Sequence, residues 1–175
     1  LKYAKSDDAA VRCGVAANAT TPLSLIGELV SDKSEMVRRE IASRNDLLPV
    51  HIVKLLVDTD DWVRQRLARN TIAPLPVLRA LAADTYADVR RAVARNTQCP
   101  LELLEVLATD GNAWVRAAVA YQHHSPQELL VELAEDEDVD VLSGVANNPN
   151  TPQQVLEKLV VSNEADVRRG VILNK

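Results

Sequence analysis

The stretch that decides the fold is residues 84–109, DTYADVRRAVARNTQCPLELLEVLAT. Its Val89, Arg90, Val93, Ala94, Asn96, Pro100 and Leu107 all belong to columns that return every 26 residues. The Val column runs Val11, Val37, Val63, Val89, Val115, Val141 and Val167 without an insertion. Arg12, Arg38, Arg64, Arg90, Arg116 and Arg168 follow those valines, and only Leu142 breaks the series. The Asn column holds Asn18, Asn70, Asn96, Asn148 and Asn174, with Arg44 and Gln122 as replacements. Leu29, Leu55, Leu81, Leu107, Leu133 and Leu159 close the pattern. A fixed period of this length is the mark of a repeat architecture.

Each period reads as two short helices. The first opens at a proline, Pro22, Pro74, Pro100, Pro126 or Pro152, a residue suited to the first helical turn because its missing N–H has no partner there. Thr21, Ser125 and Thr151 precede the proline as N-caps, and Ser125 with Glu128 and Thr151 with Gln154 have the spacing of capping boxes. Leu103, Leu104, Leu107 and Ala108 then share one apolar face. The helix ends near a recurrent aspartate (Asp32, Asp58, Asp84, Asp110, Asp136). The second helix carries the Val-Arg pair and stops at the Asn, which tolerates a left-handed backbone. This shorter helix and its linker are where 3-10 geometry is expected. Helices of two to three turns do not persist alone in water, so stacking must supply their stability.

The composition agrees. Hydrophobic residues make up 47% of the chain with no Phe and one Met, which leaves Leu, Val, Ile and Ala to fill the core. The net charge of −5 argues against generic nucleic-acid binding. Charge is uneven, however: residues 61–100 hold seven Arg against three acidic residues, and residues 101–140 hold ten acidic residues against Arg116. No apolar run approaches the roughly 20 residues of a membrane span. Cys13 and Cys99 lie three repeats apart, which predicts free thiols and a reducing compartment.

With these columns in view, two phrases carry a family resemblance. Asn148-Pro-Asn-Thr-Pro152 followed by Val155, Leu156 and Leu159 resembles the leucine-rich repeat variant family, as does Asp84 followed by Val89-Arg-Arg-Ala-Val-Ala-Arg-Asn96. The resemblance covers essentially the whole chain. It implies an all-α solenoid, a right-handed superhelix of about six to seven helix pairs related to HEAT and armadillo repeats, and not the β-horseshoe of ordinary leucine-rich repeats. It also implies a bacterial, cytoplasmic protein. Family units are commonly slightly shorter than these. Some relatives carry an iron–sulfur module ahead of the repeats, but no cysteine cluster exists in residues 1–175 to receive one, and no cofactor is expected.

Several residues stand out as candidates for a site. The Arg column reads as half of an Asp–Arg pairing that fixes the turns, with anion binding as the alternative. Leu142 breaks that column while Asp136 stays, so its repeat is expected to be locally weaker. Arg66, Arg69, Arg91 and Arg95, with Arg39 and Arg169 further out, fall on second helices and are expected to align as a basic stripe. Such a stripe is either solvated surface or a dock for an acidic segment or a phosphate backbone. Trp62 and Trp114 share one offset and either pack on the neighbouring repeat or anchor a partner. Glu132–Asp140 reads as a solvated acidic linker, lacking the spacing of a calcium loop. His123 and His124 have no framing ligand motif, and His51 reads as structural. No catalytic or nucleotide-binding motif appears.

Residues 1–175 therefore read as one helical-repeat domain of a longer chain, since both ends fall inside a repeat. The expected function is a non-enzymatic scaffold for another protein, held through Arg66, Arg69, Arg91, Arg95, Trp62 and Trp114. The partner is expected to be an acidic or extended segment. A nucleic-acid-binding HEAT-like solenoid is the first alternative. A structural spacer, or copies stacking end to end, is the second.

Overall fold

Proline and asparagine punctuation cuts the chain into α-helices of seven to nine residues in the computed structural model, which describes residues 2–174. By their internal contacts they form two units, one running through Asn96 and the other starting at Thr97. The first unit opens with a 3-10 turn at Tyr3–Lys5. It continues through α1 (Ala9–Ala17), α2 (Leu23–Leu29), α3 (Glu35–Ala42), α4 (Pro49–Leu56), α5 (Asp61–Arg69), α6 (Leu75–Ala82) and α7 (Ala87–Ala94). The second comprises α8 (Leu101–Ala108), α9 (Ala113–Ala120), α10 (Gln127–Leu133), α11 (Val139–Asn147), α12 (Gln153–Leu159) and α13 (Ala165–Leu173). No strand occurs among the described residues. Odd-numbered helices are the Val-Arg helices, and even-numbered ones are led by proline.

Within each unit every odd helix packs against the next odd helix and against its even neighbours, while the even helices touch each other less. That is the packing of an α-solenoid. The valine column is its axis of burial: Val37, Val63, Val89, Val115, Val141 and Val167 are fully inaccessible. So are Ile41, Leu67, Val93, Val119 and Val145 one turn later, and the alanines that follow them. Each fully buried Val or Leu contributes about 1.5–3 kcal/mol. Helices this short stand because several such residues per repeat are shared with neighbours. Val11 departs from its column and is exposed, with only the Tyr3–Lys5 turn packed ahead of α1.

Local geometry corrects three expectations. The second helices are α throughout, and 3-10 structure among the described residues is confined to Tyr3–Lys5. Among the described residues no non-glycine residue adopts a positive φ, so the Asn column does not end helices in a left-handed turn; Asn70 and Asn148 are extended. The capping boxes do not form either. Pro126 and Pro152 are themselves the N-caps, without side-chain caps, and the hydroxyls before them point the other way. Thr21 donates to the Val15 carbonyl at 2.6 Å, Ser125 to Val119 at 2.7 Å and Thr151 to Val145 at 2.5 Å, which closes the preceding helix. Side-chain caps belong instead to the second helices, where Asp8, Asp60, Asn112 and Asp138 accept first-turn N–H groups.

Candidate functional site

Most of the arginines are held by neighbours, and those have structural work. Arg64 donates through Nε and Nη2 to both oxygens of Asp84 at 2.6 and 3.1 Å, while its Nη1 reaches the Asp58 carbonyl at 2.6 Å. Arg12 does the same with Asp32 and Ser6, Arg38 with Asp58 and Asp32, and Arg116 with Asp136 and Asp110. One guanidinium thus ties its own linker to the aspartate of the next repeat, and that aspartate also caps its turn, as Asp136 Oδ1 does for the Asp138 N–H at 2.9 Å. Paired, hydrogen-bonded charges tolerate partial burial where lone ones do not. Hydrogen bonds from Arg12 and Arg116 hold the carboxyls of Asp32 and Asp136 below the usual carboxylate range. Asp84 is also lowered, although burial opposes it, because Arg64 and the Tyr86 N–H outweigh that penalty.

Leu142 is the exception, and the geometry explains it. An arginine there pairs, by the pattern, with position 162, which is Ser162 in place of the aspartate. Both partners are replaced together, while Asp136 keeps Arg116. Ser162 retains the turn by accepting the Glu164 N–H at 3.2 Å. No carboxylate is stranded by the change, contrary to the reading of a ladder broken on one side.

The asparagines form a second network, one that sequence reasoning missed. Asn148 is buried, and its Nδ2 donates to the carbonyls of Ala120 at 2.7 Å and Gln122 at 2.9 Å, one repeat back. Its Oδ1 accepts the Asn150 N–H at 2.9 Å. Asn70 and Asn174 clamp equivalent carbonyl pairs. Arg44, standing in an asparagine's place, reaches the Ala16 and Asn18 carbonyls with Nη1 at 2.7 Å each. Asp46 holds the rest of its guanidinium at 2.7 and 2.8 Å.

Against this background the predicted stripe separates into two kinds of arginine. Arg39 does not join it: a bidentate pair with Asp60 at 2.7 and 2.9 Å fixes its guanidinium, which lies 5.6 Å from the Trp62 ring centroid. Arg91 contacts Asp88 at 2.9 Å within α7. Arg66, Arg69 and Arg95, in contrast, make no ion pair among the described residues. Trp62, Arg66 and Arg69 are spaced four and three apart on α5, so they share one stripe of that helix, and all three are exposed. Helix α7 packs beside α5 and carries Arg91 in its last turn and Arg95 at its cap. Partial burial, reinforced by repulsion from Arg91 and Arg69, holds the Arg95 guanidinium below its ordinary pKa. Helix C-termini favour cations, which accounts for part of this placement but not for the crowding.

A depression of about 240 Å³ opens on the same unit, lined by Ser43, Asn45, Arg66, Arg69, Asn70 and Thr71. Ser43, Asn45 and Thr71 carried no sequence signal, since they lie outside the repeating columns. A neighbouring depression of about 400 Å³ is lined by Glu40, Arg44, Asn45 and Asp46 among others.

The remaining candidates fall elsewhere. Trp114 occupies on α9 the position Trp62 has on α5, is 58% exposed, and belongs to the second unit, as does Arg169. Neither tryptophan is buried against its neighbour, though Trp62 carries Arg39 on its ring. The acidic segment is built into the fold at several points: Asp136 pairs with Arg116, Asp138 caps α11, and Glu135 meets Lys158 at 2.7 Å. His51 is buried and accepts the Leu48 N–H at 3.2 Å. His123 and His124 are exposed. Cys13 and Cys99 are free thiols. Among the described residues no group of three or more His, Cys, Asp or Glu is placed to hold a metal ion, and no helix is long and apolar enough to cross a membrane.

Fold and site together define a helical-repeat protein, a scaffold of stacked helix pairs with an arginine-rich face on one unit. Residues 87–112 match the family described as leucine rich repeat variant, one full period, which bears out the likeness read from the sequence. A solved structure described as "a leucine-rich repeat variant with a novel repetitive protein structural motif" is 24% identical, over 99% of this chain and 79% of that one, with a TM-score of 0.46. No curated protein matches.

Proposed function

We propose that the chain is a non-enzymatic interaction scaffold whose first unit holds an acidic segment of another protein. Arg66, Arg69, Arg91 and Arg95 supply the charge, and Trp62 supplies an apolar anchor at the end of the α5 stripe. Trp114 offers a comparable anchor on the second unit. The observation that carries this reading is the contrast among the arginines. Those that build the fold are neutralised by aspartates, while Arg66, Arg69 and Arg95 make no ion pair among the described residues, and Arg95 lies close enough to Arg91 and Arg69 to feel their repulsion. Uncompensated like charge on a chain whose net charge is −5 raises the local affinity for anionic ligands. Arginine and tryptophan are also the residue types that dominate binding hot spots.

The test is fluorescence anisotropy of a labelled Asp/Glu-rich peptide titrated with the full chain at low salt. Binding is expected, with affinity falling steeply as salt rises. The variant carrying Arg66→Ala, Arg69→Ala, Arg91→Ala and Arg95→Ala should lose at least about tenfold in affinity. Unchanged binding by that variant overturns the assignment. A labelled DNA duplex that binds more tightly than the peptide replaces this reading with the nucleic-acid one.

A further inference from the structure

We infer that the depression at the ends of α3 and α5 is a pocket for a phosphate-group dianion, carried on a phosphorylated side chain of the acidic segment proposed above. The inference rests on that reading and names its anchor.

The wall chemistry points to the ligand. Arg66 and Arg69 both line one pocket, and neither makes an ion pair among the described residues. Asn45 and Thr71 add an amide and a hydroxyl, and no carboxylate lines the pocket. Ser43 serves as wall, since its hydroxyl already donates to the Arg39 carbonyl at 3.1 Å. A surface rich in donors and poor in acceptors suits a ligand with several acceptor oxygens. A phosphomonoester offers three, with a charge near −2 at neutral pH, and two arginines match both counts through forked hydrogen bonds. A carboxylate satisfies one such fork and leaves the other charge open.

The adjoining larger depression serves as a control within the molecule. Glu40 and Asp46 line it, and its arginine, Arg44, is already paired with Asp46 and bonded to two carbonyls. It has no free positive charge to offer. The helix ends beside the smaller pocket do oppose an anion, each by roughly half an elementary charge. Two full guanidinium charges outweigh that, and the Ala42 carbonyl that ends α3 is already engaged by Asn70.

The experiment uses the full chain and three labelled peptides of one acidic sequence, with phosphoserine, glutamate or serine at the central position. The phosphoserine peptide should bind about tenfold more tightly than the glutamate peptide at pH 7.5, and the advantage should fade as pH drops through about 6 and the phosphate takes up a proton. Arg66→Lys with Arg69→Lys keeps the charge but loses the fork, so the advantage should shrink while binding of the glutamate peptide persists. Both side chains are exposed and unpaired, so these variants should fold, and a circular dichroism melt checks it. Equal affinity for the phosphoserine and glutamate peptides overturns the pocket but leaves the scaffold reading standing. Failure of all three peptides to bind overturns both. Inorganic phosphate alone, titrated calorimetrically, should bind at least about tenfold more weakly than the phosphopeptide. Equal affinity would assign the pocket to free phosphate and overturn the phosphorylated segment.

Discussion

Asn148→Ala tests whether the asparagine column is a clamp or a helix terminator. The substitution removes two donations, to the carbonyls of Ala120 and Gln122, and one acceptance, from the Asn150 N–H. The Gln122 carbonyl keeps the Ser125 N–H at 2.9 Å, so its loss is partial. The Ala120 carbonyl faces a buried side chain and loses a bond with no replacement. An orphaned buried acceptor costs about 1–3 kcal/mol and each further net hydrogen bond about 1, so the change should cost about 2–4 kcal/mol. At about 2–4 °C per kcal/mol for a chain of this size, thermal unfolding should fall by about 5–15 °C. Asn148→Asp sharpens the test, because it preserves shape but turns an oxygen toward two carbonyl oxygens. At pH 7 it should be less stable than Asn148→Ala. Its carboxyl pKa is raised in the folded state, so the deficit should shrink on acidification through that pKa. Urea titrations of the three proteins at pH 7 and pH 5 read these differences. An Asn148→Asp protein as stable as the parent at pH 7 would refute the clamp.

Leu142→Arg and Ser162→Asp should each be neutral or destabilising alone, whereas together they restore an Arg–Asp rung; a double-mutant cycle in urea should give a favourable coupling of about 1–3 kcal/mol. Gly144→Ala should destabilise by about 1–3 kcal/mol, since the new methyl would sit 2.7 Å from the Ala120 Cβ, whereas Gly14→Ala on α1 meets nothing within 4 Å and should stabilise by about 0.5–1 kcal/mol. The carboxyls of Asp32 and Asp136 have folded pKa values below their unfolded value of about 3.9, so the stability they contribute is present above that value and is lost as pH falls through the folded pKa. The urea midpoint should therefore drop below about pH 4, and Asp136→Asn should make that drop smaller; an unchanged drop would sever it from the Arg–Asp rungs.

The helical-repeat fold was legible because each column is one physical position. Val63 and Val89 are 26 residues apart in sequence and equivalent in burial, so periodicity transmits packing directly. Polar columns transmit less. An asparagine that recurs is visible, but its partners are main-chain carbonyls without a residue identity, and a helix-ending role fits the same letters. Thr151 before Pro152 looks like a cap facing forward; only coordinates reveal that its hydroxyl turns back to Val145. The sequence places Arg66, Arg69 and Arg91 on second helices and Arg95 at the end of one, yet it could not divide them from Arg39. Arg39 loses its freedom to Asp60, a residue outside its own repeat, whereas Arg66 finds no such carboxylate. Ser43, Asn45 and Thr71 obey no period and so gave no sign of lining a pocket.

Because each asparagine clamp and each Arg–Asp rung reaches back or forward by a single period, chain length is a quantity the architecture leaves open. Adding or excising 26 residues as a block renews the same bonds at the new junction and strands no buried polar group. A gain or loss of any other size shifts the donors and acceptors that span the junction out of register. Descent by duplication should therefore move such a chain in whole steps, with binding faces varying from step to step while the joints stay in register.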